Sequence, residues 1–206
     1  MKKFYKYMPL TNMERVLDIV FNDHLYCSRW DKLNDPMEAC YDVYAKHESD
    51  RHIMDVKIKT ALNQWRIAAL GSSNKTFLLW SHYADGHKGI AIEIEIPRDH
   101  SDLQEVKYDW ATSVFSHTEQ TEYSMRHLLY YKKEEWGYEK EYRIIIKAQD
   151  TKRVGEYFEL SNPIKKIFVG PRAKESQVAI LRKAIGSKAK LVRMCLDKYG
   201  TMKVCK

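Results

Sequence analysis

The chain has 206 residues, a length that suits one domain around one core and leaves no room for a multidomain assembly. Hydrophobic residues make up 44% and charged residues 31%, which excludes wholesale disorder and a membrane bundle, while 8 Gly and 5 Pro exclude collagen. The 35 Lys and Arg against 28 Asp and Glu give a net charge of +7, which draws the chain toward polyanions without selecting one.

Aromatic residues reach 12%, with 14 Tyr and 5 Trp, more than packing requires, so some of these rings are expected to line a site. Cys27, Cys40, Cys195 and Cys205 have neither C-x-x-C spacing nor the density of a secreted disulfide scaffold, and buried free thiols are expected. The N-terminus runs directly into polar and aromatic residues, and no stretch approaches about 18 apolar residues. A soluble, cytoplasmic protein of bacterial type with no membrane contact is the expectation. No repeat, linker or low-complexity tract interrupts residues 1–206, which read as a single domain.

Phe4 to Tyr7 reads as a short aromatic strand. Thr11 and Glu14 have capping-box spacing, and Met13, Val16, Leu17 and Val20 then form one helical face. His24 to Arg29 is expected as a strand. Asp35-Pro36 with Glu38 looks like a helix start, with Asp35 as cap and Pro36 in the first turn. A longer helix is predicted from Asp50 to Leu70, with Met54, Ile58, Ala61, Leu62, Trp65 and Ala69 inward, stopping at Gly71. Gly71 to Asn74 reads as a turn.

Thr76 to Trp80 reads as a strand, and Lys88 to Ile96 alternates Ile90, Ile92, Ile94 and Ile96 against smaller or charged residues, the pattern of a half-buried strand. Glu105 to Trp110 reads as extended, and 121–131 as a helix with Met125, Leu128 and Leu129 inward. Glu141 to Lys147 and Lys165 to Val169 are β-rich, and Lys174 to Ile185 is helical with Gly186 at its end. Leu191 to Leu196 and Thr201 to Cys205 close as a hairpin through Tyr199-Gly200. The irregular alternation of elements gives an α+β class: a mixed, mainly antiparallel sheet with flanking helices.

Gly-rich phosphate loops, nucleophile elbows and paired Cys/His metal spacings are absent from the sequence, so no metal is expected. Three stretches concentrate chemistry. Leu79 to Gly89 packs Trp80, Ser81, His82, Tyr83 and His87 around Asp85-Gly86, either as core and turn or as a ligand-facing loop. Glu139, Glu141 and Arg143 share one face if strand begins before them, either as a surface charge ladder or with Glu141 at a cleft mouth, stabilising a positively charged sugar transition state. In Tyr26 to Trp30, Ser28 and Arg29 point to opposite faces of a strand; Arg29 could meet a phosphate and Trp30 a planar ring.

The segments Phe4-Tyr5-Lys6-Tyr7, Leu25-Tyr26-Cys27-Ser28, Leu33-Asn34-Asp35-Pro36-Met37-Glu38, Leu79-Trp80-Ser81-His82-Tyr83 through Gly89, Tyr138-Glu139-Lys140-Glu141-Tyr142-Arg143 and Ile167-Phe168-Val169-Gly170 together resemble the bacterial family named domain of unknown function 2971. That resemblance spans most of the chain and implies one domain of that type, without implying an activity. More distantly, Lys6 or Tyr7, then Ser28, then Glu139-x-Glu141 is similar to ADP-ribosyltransferases. This second resemblance implies a split sheet, NAD as substrate, Glu141 on the NAD ribose, and Glu139 orienting the acceptor nucleophile. It also implies Tyr5, Tyr7, Trp80 or Tyr83 as a nicotinamide clamp.

The expected catalytic pair is therefore Glu141 and Glu139, and the expected NAD-binding set is Tyr5, Tyr7, Ser28, Arg29, Trp80, His82 and Tyr83. The leading expectation is an ADP-ribosyltransferase-like enzyme, of bacterial-toxin or phage-defence type, that cleaves NAD and transfers ADP-ribose to a nucleic-acid or protein acceptor. The alternative is a noncatalytic nucleic-acid- or partner-binding module using the basic C-terminal third. A third reading, a Mg²⁺ nuclease, would need Glu139, Glu141 and Asp85 or Asp35 to converge.

Overall fold

The fold is taken from a computed structural model in which residues 1–109, 112–115 (backbone only) and 125–205 are described. Trp110, the expected end of one extended stretch, and 121–124, the expected start of a helix, lie outside the described residues.

The chain opens with β1 (Lys2–Met8), α1 (Met13–Asn22) and β2 (His24–Ser28), followed by β3 (Tyr41–Tyr44), α2 (Glu48–Leu62) and β4 (Trp65–Gly71). Then come α3 (Phe77–Tyr83), β5 (Ile90–Ile96), β6 (Leu103–Glu105), β7 (Lys107–Tyr108), β8 (Thr112–Phe115), β9 (Tyr131–Lys132) and β10 (Glu141–Lys147). The chain closes with β11 (Gly155–Glu159), β12 (Lys166–Val169), α4 (Glu175–Ile185), β13 (Lys190–Leu196) and β14 (Met202–Val204). The main sheet runs β11-β2-β4-β1-β5-β12-β13-β14, with β10 also on β4 and β6 on β10. Its pairings are antiparallel except β12 with β13, which α4 connects as a crossover. The class is α+β with a mainly antiparallel, curled sheet, as the alternation of elements predicts.

Two apolar layers cover opposite faces of this sheet. Ala68 and Leu70 of β4 and Ile144 of β10 join Phe4, Val16, Val20, Ile92, Ile94 and Leu181 in one cluster, under α1 and α4. Their immediate neighbours Ile67 and Ile145 join Ile58, Leu62, Trp65, Leu128 and Leu129 in the other, under α2. That split is the period-two alternation of a strand buried on both sides. β5 behaves likewise: residues 90–94 are all buried, so the expectation of a half-buried strand is corrected. Each fully buried Ile there contributes on the order of 2 kcal/mol.

The departures from the predicted elements have local causes. The helix expected over Asp50 to Leu70 is two elements, α2 and β4: Trp65 and Ala69 continue the helical spacing of α2, but the stretch is buried on both faces, where spacing alone cannot separate strand from helix. The Asp35-Pro36 helix start yields only a single turn. Asp35 Oδ1 accepts from the Met37 amide at 2.9 Å, and Ala39 then turns left-handed at φ 55°. At α1 the cap residue is Asn12, without a side-chain cap bond, so the Thr11–Glu14 box does not form. The strand expected over Thr76 to Trp80 is instead helix α3, which buries Leu79 and Trp80 and leaves Phe77 and Leu78 exposed.

Two cysteines also depart from expectation. Cys195 and Cys205 form a disulfide, with Cα atoms 5.2 Å apart, because the β13–β14 hairpin brings residue 205 back beside its partner strand. Cys27 is a buried free thiol and Cys40 a half-buried one. Among the described residues no helix is long and apolar enough to cross a membrane.

Close backbone approach is required where α3 passes into β5. A Cβ on Gly89 would lie 2.2 Å from the Met8 carbonyl oxygen and 2.9 Å from Ala84 Cα. These are main-chain atoms that cannot step aside. Gly89→Ala is therefore expected to destabilise the fold by about 1–3 kcal/mol, read as a lower urea midpoint. An unchanged midpoint would show that β1 and α3 do not meet here as described.

Candidate functional site

β4 has one neighbour on one edge and two on the other. β10 pairs with it along its length, from Glu141 opposite Gly71 to Lys147 opposite Trp65. On the other edge β1 touches it only at Tyr5 opposite Gly71, and β2 only at Ser28 opposite Ile67. β1 is fully committed to β5 and β2 to β11, so the strands fan apart and leave a wedge. Between the two contacts the Ala69 carbonyl has no strand partner and accepts instead from Lys6 Nζ at 3.0 Å.

A cavity of about 730 Å³ occupies this wedge, large enough for a nucleotide-sized ligand. Tyr5, Lys6 and Tyr7 of β1, Tyr26 and Ser28 of β2, Ala69 to Gly71 of β4 and Asn12, Arg15 and Ile19 of the α1 region line it. Tyr83 of α3, Glu139, Glu141 and Arg143 around the start of β10, Lys132 of β9, and Lys32, Asn34 and Glu38 from the segment after β2 complete the walls.

One wall is a buried ionic network. Arg143, with no exposed surface, directs all its donors inward: Nε to Glu141 Oε1 at 2.7 Å, both terminal nitrogens to Glu38, and one of them to the Leu129 carbonyl at 2.7 Å. Lys132 Nζ sits 2.7 Å from Glu139 Oε2 and 2.8 Å from Glu141 Oε2. Glu139 Oε1 accepts from the Tyr83 hydroxyl at 2.6 Å, and Asn34 Nδ2 donates to that hydroxyl at 3.1 Å. The Glu141 amide donates to the Tyr108 hydroxyl at 2.7 Å, fixing the strand's first residue.

Three carboxylates thus face two cations, and the surplus negative charge is distributed unevenly. Burial alone would push Glu141 up, but Arg143 and Lys132 outweigh it and hold the carboxyl at about 2. Glu139 is pushed above the usual carboxylate range by burial and by the Glu141 charge, which Lys132 only partly offsets. Glu38 is also raised by burial, against the pull of Arg143. Burial would lower Lys132, yet Glu141 and Glu139 keep it well above the ordinary lysine value. Two neighbouring carboxylates bridged by one lysine are therefore shifted in opposite directions.

The structure brings Glu139, Glu141, Tyr5, Tyr7, Ser28 and Tyr83 of the predicted set to this single cavity. Glu139 arrives there differently from the expected strand alternation. It ends the 3-10 segment Glu134–Glu139, and Lys140, left-handed at φ 44°, reverses the chain before Glu141 begins β10. Arg143 does bridge Glu141, but as a fully buried residue rather than in a surface charge ladder.

Three residues of the expected NAD-binding set, and Trp30 beside them, are not brought to the cavity. Arg29 is drawn to Asp31, with bonds of 2.6 and 2.8 Å. Trp80 is fully buried, donating to the Asn74 carbonyl at 2.8 Å and meeting the Tyr7 ring edge-on at 5.2 Å. His82 is exposed on α3, its ring 6.4 Å from Tyr83. Trp30 donates to Asn63 and packs against the α2 cluster.

Lys132, Glu38 and Asn34 were not nominated from sequence. Glu38 carries the signature of a helix start, and Lys132 directly follows 121–131, which reads as a helix. Among the described residues no three His, Cys, Asp or Glu side chains gather to hold a metal. The carboxylates a nuclease would need are directed elsewhere, Glu139 and Glu141 to Lys132 and Asp85 toward Lys88.

Replacing Arg143 by Met strands two buried carboxylates, and a loss of about 3–5 kcal/mol of stability is expected. Tyr83→Phe removes two hydrogen bonds, the one given to Glu139 and the one taken from Asn34, leaves every ion pair in place, and is expected to cost about 1–2 kcal/mol. Denaturant unfolding of both variants checks the ranking, and equal effects would contradict it. Because the folded-state pKa of Glu141 lies below its ordinary 4.5, its stabilisation is complete above that value and is lost as pH falls toward about 2. Acid unfolding followed by circular dichroism should show Arg143→Met losing less stability than the parent over that window.

Comparison with protein-family models, with curated proteins and with solved structures finds no match to this chain.

Proposed function

We propose that the wedge cavity is the active site of an NAD-cleaving, ADP-ribosyltransferase-like enzyme with a macromolecular acceptor. The observation that carries this reading is the pair Glu139 and Glu141, adjacent on one cavity wall and sharing Lys132, with Glu141 held in addition by Arg143 and Glu139 only by the Tyr83 hydroxyl. Such an asymmetry of surroundings separates two carboxylates into two roles. Glu141, kept ionised, supplies a standing negative charge to a ribosyl cation. Glu139, a stronger base than an ordinary carboxylate, takes the proton of the incoming nucleophile.

In this reading the bond between ribose C1 and nicotinamide breaks with the electron pair leaving on nicotinamide, which departs neutral. The acceptor attacks C1, and its proton passes to Glu139. A carboxylate beside C1 favours the transition state, in which the positive charge has moved onto the ribose, more than the ground state, in which it lies on the nicotinamide ring. Tyr5, Tyr7 and Tyr83 are available for the departing ring, and Arg15 and Lys32 supply positive charge for the phosphates. The opening of the sheet between β1 and β4 supports the split-sheet expectation.

The test is nicotinamide release from NAD by the purified chain, followed chromatographically. Glu141→Gln is expected to lower release about 100-fold or more while native circular dichroism persists. Because that variant also disturbs a buried ion pair, NAD binding by the parent protein is measured alongside by calorimetry. A parent that neither binds NAD nor releases nicotinamide removes the proposal. Steeply salt-dependent retention on RNA or DNA, unaffected by Glu141→Gln, would favour the noncatalytic binding module instead.

A further inference from the structure

The same cavity holds two lysines in opposite surroundings. Lys132 lies between two carboxylates and is locked as an ammonium ion. Lys6, on β1 beside the point where β1 leaves β4, has only a neutral partner, the Ala69 carbonyl, and no ion-pair partner among the described residues. Its side chain is half-buried and lines the cavity. A lysine present only to satisfy a carbonyl would carry a desolvated, unmatched charge at considerable cost. Burial lowers its pKa, and the nearby Arg15 charge acts in the same direction against the pull of Glu141. These are the conditions under which an amine becomes a nucleophile.

The remaining chemistry around Lys6 indicates what it would attack. Arg15 lines the cavity with its guanidinium 5.0 Å from the centre of the Tyr26 ring and no ion-pair partner among the described residues. Lys32 lines it too, paired only at 3.7 Å with the half-exposed Asp31. Ser28 and Asn12 add short polar side chains. Available cations suit a phosphate, hydroxyl-bearing walls suit a sugar, and a lone amine suits a carbonyl.

We propose that Lys6 is a Schiff-base-forming residue that captures the open-chain aldehyde of a phosphorylated aldose bound in the wedge. The neutral amine's lone pair forms the bond from Nζ to C1 as the carbonyl π pair moves to oxygen. The resulting carbinolamine expels that oxygen as water, carrying off both amine hydrogens, and an Nζ=C1 imine remains. No oxidant or reductant is consumed. The step does not rest on NAD cleavage, although the ADP-ribose which that reaction would release by hydrolysis belongs to the same class of reducing sugar phosphate.

The experiment incubates the full chain with ribose 5-phosphate and sodium cyanoborohydride, which reduces an imine to a stable secondary amine, and maps labelled peptides by mass spectrometry. The peptide bearing Lys6 should be labelled at least about tenfold faster than those bearing Lys198 and Lys203. This selectivity is read on the unaltered protein, so it does not depend on a variant folding. Unphosphorylated ribose should label Lys6 more slowly, and Arg15→Ala should narrow the gap between the two sugars. Lys6→Arg, with native circular dichroism, should abolish the fast site. Labelling of Lys6 no faster than of the surface lysines overturns the proposal, and equal labelling by both sugars overturns its phosphate requirement. The aldose is supplied directly, so nicotinamide release without Lys6 labelling refutes this proposal alone. Labelling without release refutes only the NAD-cleaving reading.

Discussion

Three buried carboxylates held by two cations form the interaction on which the site depends. Glu38 comes from a turn, Lys132 from the two-residue β9, Glu139 from a 3-10 segment, and Glu141 and Arg143 from β10. Most of these segments have little regular structure of their own, so the ion pairs fix their mutual positions. Desolvating such a cluster is costly unless every partner is engaged, and Arg143 meets that condition with each of its donors used. One carboxylate in excess cannot be neutralised within the network. Burial, reinforced by the Glu141 charge, raises Glu139 and Glu38 while Glu141 stays ionised.

The open sheet explains why this charge faces a cavity. A strand with two partners on one edge must leave main-chain groups unpaired between them, and an orphaned carbonyl requires a donor. Lys6 supplies it at Ala69. On the side of β4 toward β2, Arg66 is buried with no exposed surface and donates to the carbonyls of Asn63, Trp65, Asp150, Thr151 and Arg153. It thereby fastens the turn before β11 against β4. Two basic side chains bound to carbonyls thus brace the wedge, and only Lys6 remains accessible from its cavity.

Elements with one dominant signal were legible in the sequence. Glu141–Lys147 has the predicted limits, and the last helix ends at Gly186 with Val178, Leu181 and Ile185 buried, as its spacing predicts. Where two signals compete, tertiary burial decides. Trp65 to Leu70 continues the helical spacing of α2 but becomes a central strand, because both faces of β4 are covered. Asp35, Pro36 and Glu38 meet the local rules for a helix start, yet Glu38 is recruited by Arg143, 105 residues away. The carboxylate pair and the early tyrosines stand close to recognisable motifs. Lys132 and Asn34 stand just after one predicted helix and just before the start of another, and only long-range contacts bring them to the site.

The central claim is that Glu139 and Glu141, 2.7 and 2.8 Å from one lysine, divide their charge unequally. Titration of side-chain carboxyl ¹³C resonances in selectively labelled protein tests it most directly. Glu141 is expected to remain ionised to about pH 2, while Glu139 takes up its proton above the ordinary 4.5. Two resonances titrating together near 4.5 would contradict it, because the carboxylates would then be solvated side chains rather than an asymmetric pair at a cavity wall.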